Sequence, residues 1–239
     1  MSALKRFFVE QVHQETELIG EEFEHAKNVL RLAVGDEVIL LDNSGKEYTA
    51  IVSTVEKKKM TLNVVRSEVG EREANTDICL LFGYLKNADK NEFIVQKAVE
   101  LGVKEIGVFS SAFSSAYMNE NKLERLNKVA KEAAKQCLRA VAPKIIYYDT
   151  LTAALESAKG YQNRVFACEF AQKSEIELSA LQGSTALVVG SEGGFSKEEA
   201  DKAKEMGYAL VTLGKRILRA ETAAVALTAV AAFSLGEWQ

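Results

Sequence analysis

The chain has 239 residues, 47% of them hydrophobic and 27% charged, with a formal net charge of −4 at pH 7. That balance excludes disordered and collagen-like classes, and no apolar run reaches the roughly 20 residues of a membrane span. The N-terminus, Met-Ser-Ala-Leu-Lys-Arg, lacks the apolar stretch of a signal peptide, so secretion is not expected.

At about 150 residues per domain, the length fits one large or two small domains. Residues 1–74 carry ten Lys/Arg and fourteen Asp/Glu, whereas residues 75–239 carry twenty of each. Nucleic-acid binding therefore needs local patches, since no overall basic excess exists. Three distant cysteines, Cys79, Cys137 and Cys168, fit neither a disulfide framework nor paired metal ligands. The two histidines, His13 and His25, lie in no HExxH-like setting. Zinc hydrolases and Ser-His-Asp enzymes are accordingly disfavoured, and no metal is expected.

Glu21–Leu32 reads as a short helix with Phe23, Ala26 and Leu30 near helical spacing. Strands follow at Glu37–Leu41, Tyr48–Val55 and Met60–Val65, separated by Asp42-Asn43-Ser44-Gly45 and by Lys57-Lys58-Lys59. Short strands and tight turns predict a small barrel or antiparallel sheet, and Ser67–Thr76 reads as a linker. Beyond it, strands and helices alternate. Strands are predicted over Ile78–Leu85, Val103–Phe109, Lys144–Tyr148, Arg164–Cys168, Thr185–Gly190 and Tyr208–Leu213. Helices are predicted over Asn91–Leu101, Lys122–Leu138 and Ala220–Leu235, and a further one starts at Ser196 with Glu199 completing a capping box. This alternation predicts a mostly parallel sheet covered on both faces, with Ser110–Ala116 as a loose loop.

Three segments carry chemistry. Val188–Ser196 ends an apolar strand in a glycine-rich loop that opens a capped helix, and it is neither a P-loop nor a GxGxxG fingerprint. It fits a ligand loop at a strand's carboxyl end, or simply a tight turn. Leu213–Ala223 again leads from a strand through glycine into a helix. It places Lys215, Arg216 and Arg219 where cations oppose the helix dipole, so a nearby anion would offset them. Residues 122–144 hold Lys122, Arg125, Lys128, Lys131, Lys135, Arg139 and Lys144 against Glu124 and Glu132. That stripe suits phosphates or, equally, a solvated face.

Together, "GSEGGFS" at Gly190–Ser196 and "LGKRILRAETA" at Leu213–Ala223 resemble the paired motifs of the ribosomal RNA small subunit methyltransferase E family, in the SPOUT class. The usual forms there are GPEGGFS and LGxRILRxETA. "RFFV", "HAKNVLRLAVGDE", "QKAVELGV" and "EAAKQCLRAVAP" match the same family in order. The resemblance implies an α/β fold: a PUA-like β-barrel for RNA over residues 1–73, then a SPOUT trefoil-knotted, parallel-sheet methyltransferase domain over 74–239. It further implies a cytoplasmic homodimer that uses S-adenosylmethionine (AdoMet) to methylate N3 of one uridine in 16S rRNA of the small ribosomal subunit. By analogy, the cofactor pocket comprises Cys168 and Glu169, the Gly190, Ser191, Glu192, Gly193 and Gly194 loop, and Leu213, Gly214, Ile217, Leu218 and Arg219. Arg219 would stabilise developing charge on the uracil, while Glu192 or Glu221 would orient the base or accept its proton. Arg6, Arg31, Arg125, Lys128, Lys135 and Arg139 would bind rRNA phosphates. The alanine-rich 220–235 helix would lie at or near the dimer interface.

Two departures from the pattern stand out. Ser191 replaces the family's loop proline, and the 110–116 run lacks the arginine common there. Two other classes remain open at this level: a non-catalytic RNA-binding protein on the same scaffold, and a nucleotide-binding α/β enzyme unrelated to RNA.

Overall fold

Two separate sheets organise the chain in the computed structural model, which describes residues 4–114 and 116–238. They belong to two compact units, Met1–Glu73 with Ala134–Ala142, and Ala74–Ala133 with Pro143–Gln239.

The first unit contains β1 (Lys5–Phe8), β2 (Glu15–Leu18), α1 (Gly20–Glu24), β3 (Glu37–Leu41), β4 (Lys46–Val55) and β5 (Met60–Val69). The strands form one mixed sheet in the order β1-β3-β4-β5-β2. The β1–β3 pair is parallel and the rest are antiparallel. Two register irregularities bend the long β4–β5 ribbon. Alternation sends Val38, Leu40, Ala50, Val52, Met60 and Leu62 to one face, where Phe7, Leu18, Phe23 and Ala26 complete an apolar core.

The predicted Glu21–Leu32 helix is shorter and wider than its periodicity suggests. After α1 the chain makes a π-helical turn over His25–Val29, closed by the Leu30 N–H donating to the His25 carbonyl at 3.0 Å. Ser67–Val69, read from sequence as linker, continues β5 opposite Lys46–Tyr48 of β4. The two-part division at residue 73 does not anticipate the return of 134–142 to this unit. Here the Ala142 N–H donates to Asn43 Oδ1 at 2.9 Å, and Arg139 meets Glu73.

The second unit alternates β6 (Ile78–Gly83), α2 (Ala88–Glu100), β7 (Glu105–Phe109), α3 (Glu120–Gln136), β8 (Ile145–Tyr148), α4 (Leu151–Ser157), β9 (Asn163–Ala167), β10 (Thr185–Val189), α5 (Lys197–Glu205), β11 (Ala209–Val211) and α6 (Ala220–Ser234). Its sheet runs β11-β9-β10-β6-β7-β8, and every pairing is parallel. Near-continuous apolar strands such as Thr185–Val189, buried throughout, suit a sheet covered on both sides. Cys79 and Leu81, Phe166 and Cys168, and Ala186 and Val188 enter a cluster with residues of α4 and α5. Their alternate neighbours face the opposite way, towards the side where α6 packs on β6, β10 and α2. Among the described residues, no helix is long and apolar enough to cross a membrane.

Candidate active site

Strands β9, β10 and β11 are neighbours and parallel, so their carboxyl ends emerge side by side on one edge of the sheet. The segments leaving them are Cys168–Glu169, Gly190–Phe195 and Thr212–Arg219. All three line one cavity of about 600 Å³, within the size range of small-molecule sites. The parallel register is therefore what brings together residues some fifty positions apart.

The Gly190–Phe195 loop is a tight turn in which the Gly194 N–H donates to the Ser191 carbonyl at 3.0 Å. Gly194 sits at φ +66°, and a Cβ there would come within 2.7 Å of Glu169 Oε1. A side chain there would be strained by the backbone and would displace the Glu169 carboxylate, which lies against the loop. Ser196 then caps α5: its Oγ accepts from the Glu199 N–H at 3.1 Å, and Glu199 Oε2 accepts from the Ser196 N–H at 2.9 Å. The capping box read in the sequence is present. Ser191, which stands where the resembled pattern has proline, is buried, and its Oγ has no hydrogen-bond partner.

The cavity mixes charge and apolar surface. Cations Lys90, Lys215, Arg216 and Arg219 face carboxylates Glu169, Glu192 and Glu221 across walls that include Leu213, Ile217 and Leu218. Ile217 is 94% exposed. An apolar side chain held that far open in a cavity is a surface that a ligand's ring would cover. Arg219 is the last residue before α6, in extended conformation at φ −66° and ψ 151°, and is exposed. Glu221 pairs with Lys90 at 2.9 Å. Burial alone would raise its pKa. The Lys90 hydrogen bond, its own backbone N–H and the charges of Lys90 and Arg219 prevail and hold it below the ordinary carboxylate value. Glu192 accepts from the Lys86 N–H at 3.0 Å. Every residue named from sequence as cofactor-binding or catalytic lines this cavity.

Lys90 also lines it and escaped the sequence reading. It stands in the first turn of α2, beyond the Asn87 cap, so it is another cation opposing a helix dipole. That is the signal that singled out the 215–219 cations, and it could have found Lys90 too.

The six cations assigned to phosphates do not behave alike. Arg31, Arg125 and Lys128 are exposed. Arg31 adopts a left-handed backbone, φ 55°. Arg125 forks onto Glu92, with its Nη2 3.1 Å from Oε2. The other three are little exposed and held in ion pairs. Arg6 is paired with Glu47 and its side chain is 8% exposed. Lys135, also 8%, reaches Glu22 at 3.2 Å, and Arg139, 3%, reaches Glu73 at 2.8 Å. Buried ion pairs of this kind offer little to a phosphate in solution, and their acidic partners lie far away in sequence, where spacing on one helix cannot reveal them.

A family model described as an RNA methyltransferase domain matches residues 72–232, and one described as an RNA methyltransferase PUA domain matches residues 18–65. The chain is 32% identical to ribosomal RNA small subunit methyltransferase E of Bacillus subtilis, across 95% of this chain and 96% of that protein. It belongs to that family. The mixed five-stranded sheet is thus the family's PUA-like unit, and the parallel sheet is its α/β methyltransferase unit. Solved structures agree. The family member from Neisseria gonorrhoeae bound to S-adenosyl methionine is similar with a TM-score of 0.84 at 28% identity, covering 99% of this chain and 100% of that one. A methyltransferase from Legionella pneumophila in complex with the bound cofactor SAM is similar with a TM-score of 0.86 at 26% identity, covering 97% and 98%.

Proposed function

We propose that this chain transfers a methyl group from AdoMet to N3 of one uridine in 16S rRNA of the small ribosomal subunit. The observation that supports this best is the single cavity at the ends of β9, β10 and β11, whose three loops are those of the family motifs. The residues suit the cofactor: Ile217 and Leu218 offer apolar cover for an adenine, and Glu169 and Glu192 offer acceptors. Bound there, AdoMet supplies an electrophilic methyl group on a sulfonium.

A uridine N3 is a poor nucleophile until it loses its proton, so the protein must remove that proton and stabilise the anionic uracil. Arg219, exposed at the cavity and fixed by the start of α6, is placed to neutralise charge on the uracil carbonyl oxygens. Glu221 is ill suited as the base, because its lowered pKa and its Lys90 partner favour the ionised, occupied carboxylate. Its role is to hold Lys90 at the cavity wall. Glu192, exposed and held through one oxygen by the Lys86 N–H, is the carboxylate positioned to take the proton, directly or through water.

The same reading assigns residues 1–73 to RNA binding and 74–239 to a knotted methyltransferase domain. Arg31, Arg125 and Lys128 are its exposed phosphate contacts. It also makes the active species a homodimer acting in the cytoplasm, where its ribosomal substrate resides. The small residues of α6 are largely used inside the chain, since Ala220, Ala224, Ala231 and Ala232 are buried. Val230 and Phe233 on the same helix are exposed and apolar, and suit a subunit contact.

The test is methylation of 30S particles and of free 16S rRNA with labelled AdoMet, followed by nucleoside analysis. Labelled 3-methyluridine is expected. Label in another nucleoside, or none with a folded protein that binds AdoMet, overturns the assignment.

A further inference from the structure

An aromatic residue without a role so far packs against Gly193 of the glycine loop that lines this cavity. Phe113 belongs to the 110–116 loop after β7, of which Ser115 lies outside the described residues. Its backbone and Cβ are pressed against the glycine loop. A Cβ on Gly193 would lie 2.6 Å from Phe113 Cβ and 3.2 Å from its carbonyl oxygen, so only glycine permits this approach. The ring is not part of the buried core cluster beside it and is 53% exposed.

The loop is fastened rather than loose. The Ala112 N–H donates to Glu199 Oε1 at 2.8 Å, the Ser111 N–H to Ser114 Oγ at 2.8 Å, and the Ser114 N–H to the Ser111 carbonyl at 3.0 Å. Glu199 is the capping-box residue of α5, whose other oxygen holds Ser196. One carboxylate therefore ties the Phe113 loop to the end of the glycine loop, and the backbone that carries the exposed ring is held against Gly193, a residue of the cavity lining.

We propose that Phe113 is a stacking platform for the target uracil, a positioning residue for the base to be methylated. The proposal rests on the methyl-transfer reading above. A base whose N3 reacts must leave its helical stack or lie in a single strand, and it then loses the stacking of its neighbours. A fixed aromatic face restores part of that loss without reading sequence, because every base has a π-face. Its place against Gly193, its exposure and its anchored backbone are what such a platform needs. Aliphatic cover does not substitute, because the gain comes from the planar face and not from area alone.

The test uses the full-length protein, with 30S particles as substrate and AdoMet binding followed by calorimetry. Phe113→Ala is expected to raise the KM for the particle about tenfold or more, the size of a lost base–aromatic stack. AdoMet affinity and kcat at saturating particle should stay within about twofold, because the interaction is made equally in ground and transition states. Phe113→Trp and Phe113→Tyr should restore the wild-type KM, and Phe113→Leu should not. A normal KM in Phe113→Ala, or full rescue by leucine, overturns the stacking role. So does a loss of AdoMet affinity in Phe113→Ala, which would show that the ring shores up the cofactor loop. A change in oligomeric mass with Phe113→Ala overturns it as well, by assigning the ring to a second copy of the chain. If wild-type protein methylates no uridine, the underlying reading fails and takes this one with it. Wild-type activity combined with any of the other outcomes removes the stacking role alone.

Discussion

Arg139 and Glu73 are joined by two hydrogen bonds onto a single oxygen, Nε and Nη2 reaching Oε2 at 3.0 and 2.8 Å. The other Glu73 oxygen accepts the N–H groups of Ala140 and Val141 at 2.9 and 3.0 Å. One carboxylate thus neutralises a buried guanidinium and caps the segment that carries it. Glu73→Ala strips the guanidinium of that partner and should destabilise the protein by about 3–5 kcal/mol, the cost of breaking a buried pair from one side. Replacing both residues with apolar ones of similar size should recover most of the loss. Urea denaturation of the single and double variants measures both, and a single-variant loss below about 1 kcal/mol would refute this account.

Alkaline pH should weaken the second unit. Burial, together with the Glu105 charge, pushes the Cys79 thiol up to about 12, while a hydrogen bond with Tyr161 pulls the other way. Burial also raises Tyr161 and Tyr208, whose hydroxyl donates to the Leu155 carbonyl at 2.8 Å. The folded state therefore keeps protons that the unfolded chain releases. For Cys79 this stability is complete below about pH 9, where an unfolded cysteine ionises, and is lost progressively as pH rises towards 12. Denaturant unfolding should show stability falling from pH 9 to 10.5, by about 1.4 kcal/mol per pH unit for each group that titrates only when unfolded. Cys79→Ala should fall less steeply, and an identical slope in that variant would exclude the thiol as a cause.

Arg219 and Arg125 should separate turnover from affinity. Arg219→Ala is expected to lose turnover on the order of a hundredfold at saturating AdoMet and particle, with most RNA affinity kept. Wild-type turnover under those conditions contradicts its electrostatic role. Arg125→Ala should leave turnover normal and reduce the salt dependence of RNA binding, each lost phosphate contact taking about 0.7–0.9 from the log–log slope. Lys135→Ala, by contrast, should act on folding through Glu22. A salt slope lowered by Lys135→Ala as much as by Arg125→Ala would show that the buried lysine reaches phosphate after all.

Ser196→Ala removes one half of the α5 capping box. It should cost about 1 kcal/mol of stability. Because Glu199 holds both Ser196 and Ala112, the 110–114 loop should also exchange its amide hydrogens faster, as hydrogen exchange would record. Unchanged protection at Ala112 would mean that Glu199 holds the loop without help from the cap.

Local signals and long-range pairings explain which parts could be read in advance. The apolar strand read as Thr185–Gly190 and the Ser196–Glu199 box depend on neighbours within a few residues; the box stands as read, and the strand ends one residue earlier, at Val189. The residues that line the cavity were named together because motif resemblance encodes a convergence that spacing does not. Strands β1 and β2 were missed: each is four residues long, and each is held only by partners tens of positions away, β3 and β5. Helix α4 is seven residues, too short for a periodic face, and is marked only by the Thr150 cap. The ion pairs of the buried cations were hidden for the same long-range reason. On its own helix Lys135 reads as one more member of a basic stripe, and only the tertiary fold supplies Glu22.

The return of 134–142 to the first unit sets an order of events during synthesis. When Glu73 has just been added to the chain, the residues that its carboxylate will hold, Arg139 to Val141, have yet to be translated. The amino-terminal sheet can pair its strands early, but the Glu73 side chain stays hydrated and unmatched until the ribosome has made and released the segment through Ala142, an interval on the order of several seconds. Through that interval the nascent unit lacks its closing ion pair, and a pause in translation between residues 73 and 142 would prolong its exposure to chaperones and proteases.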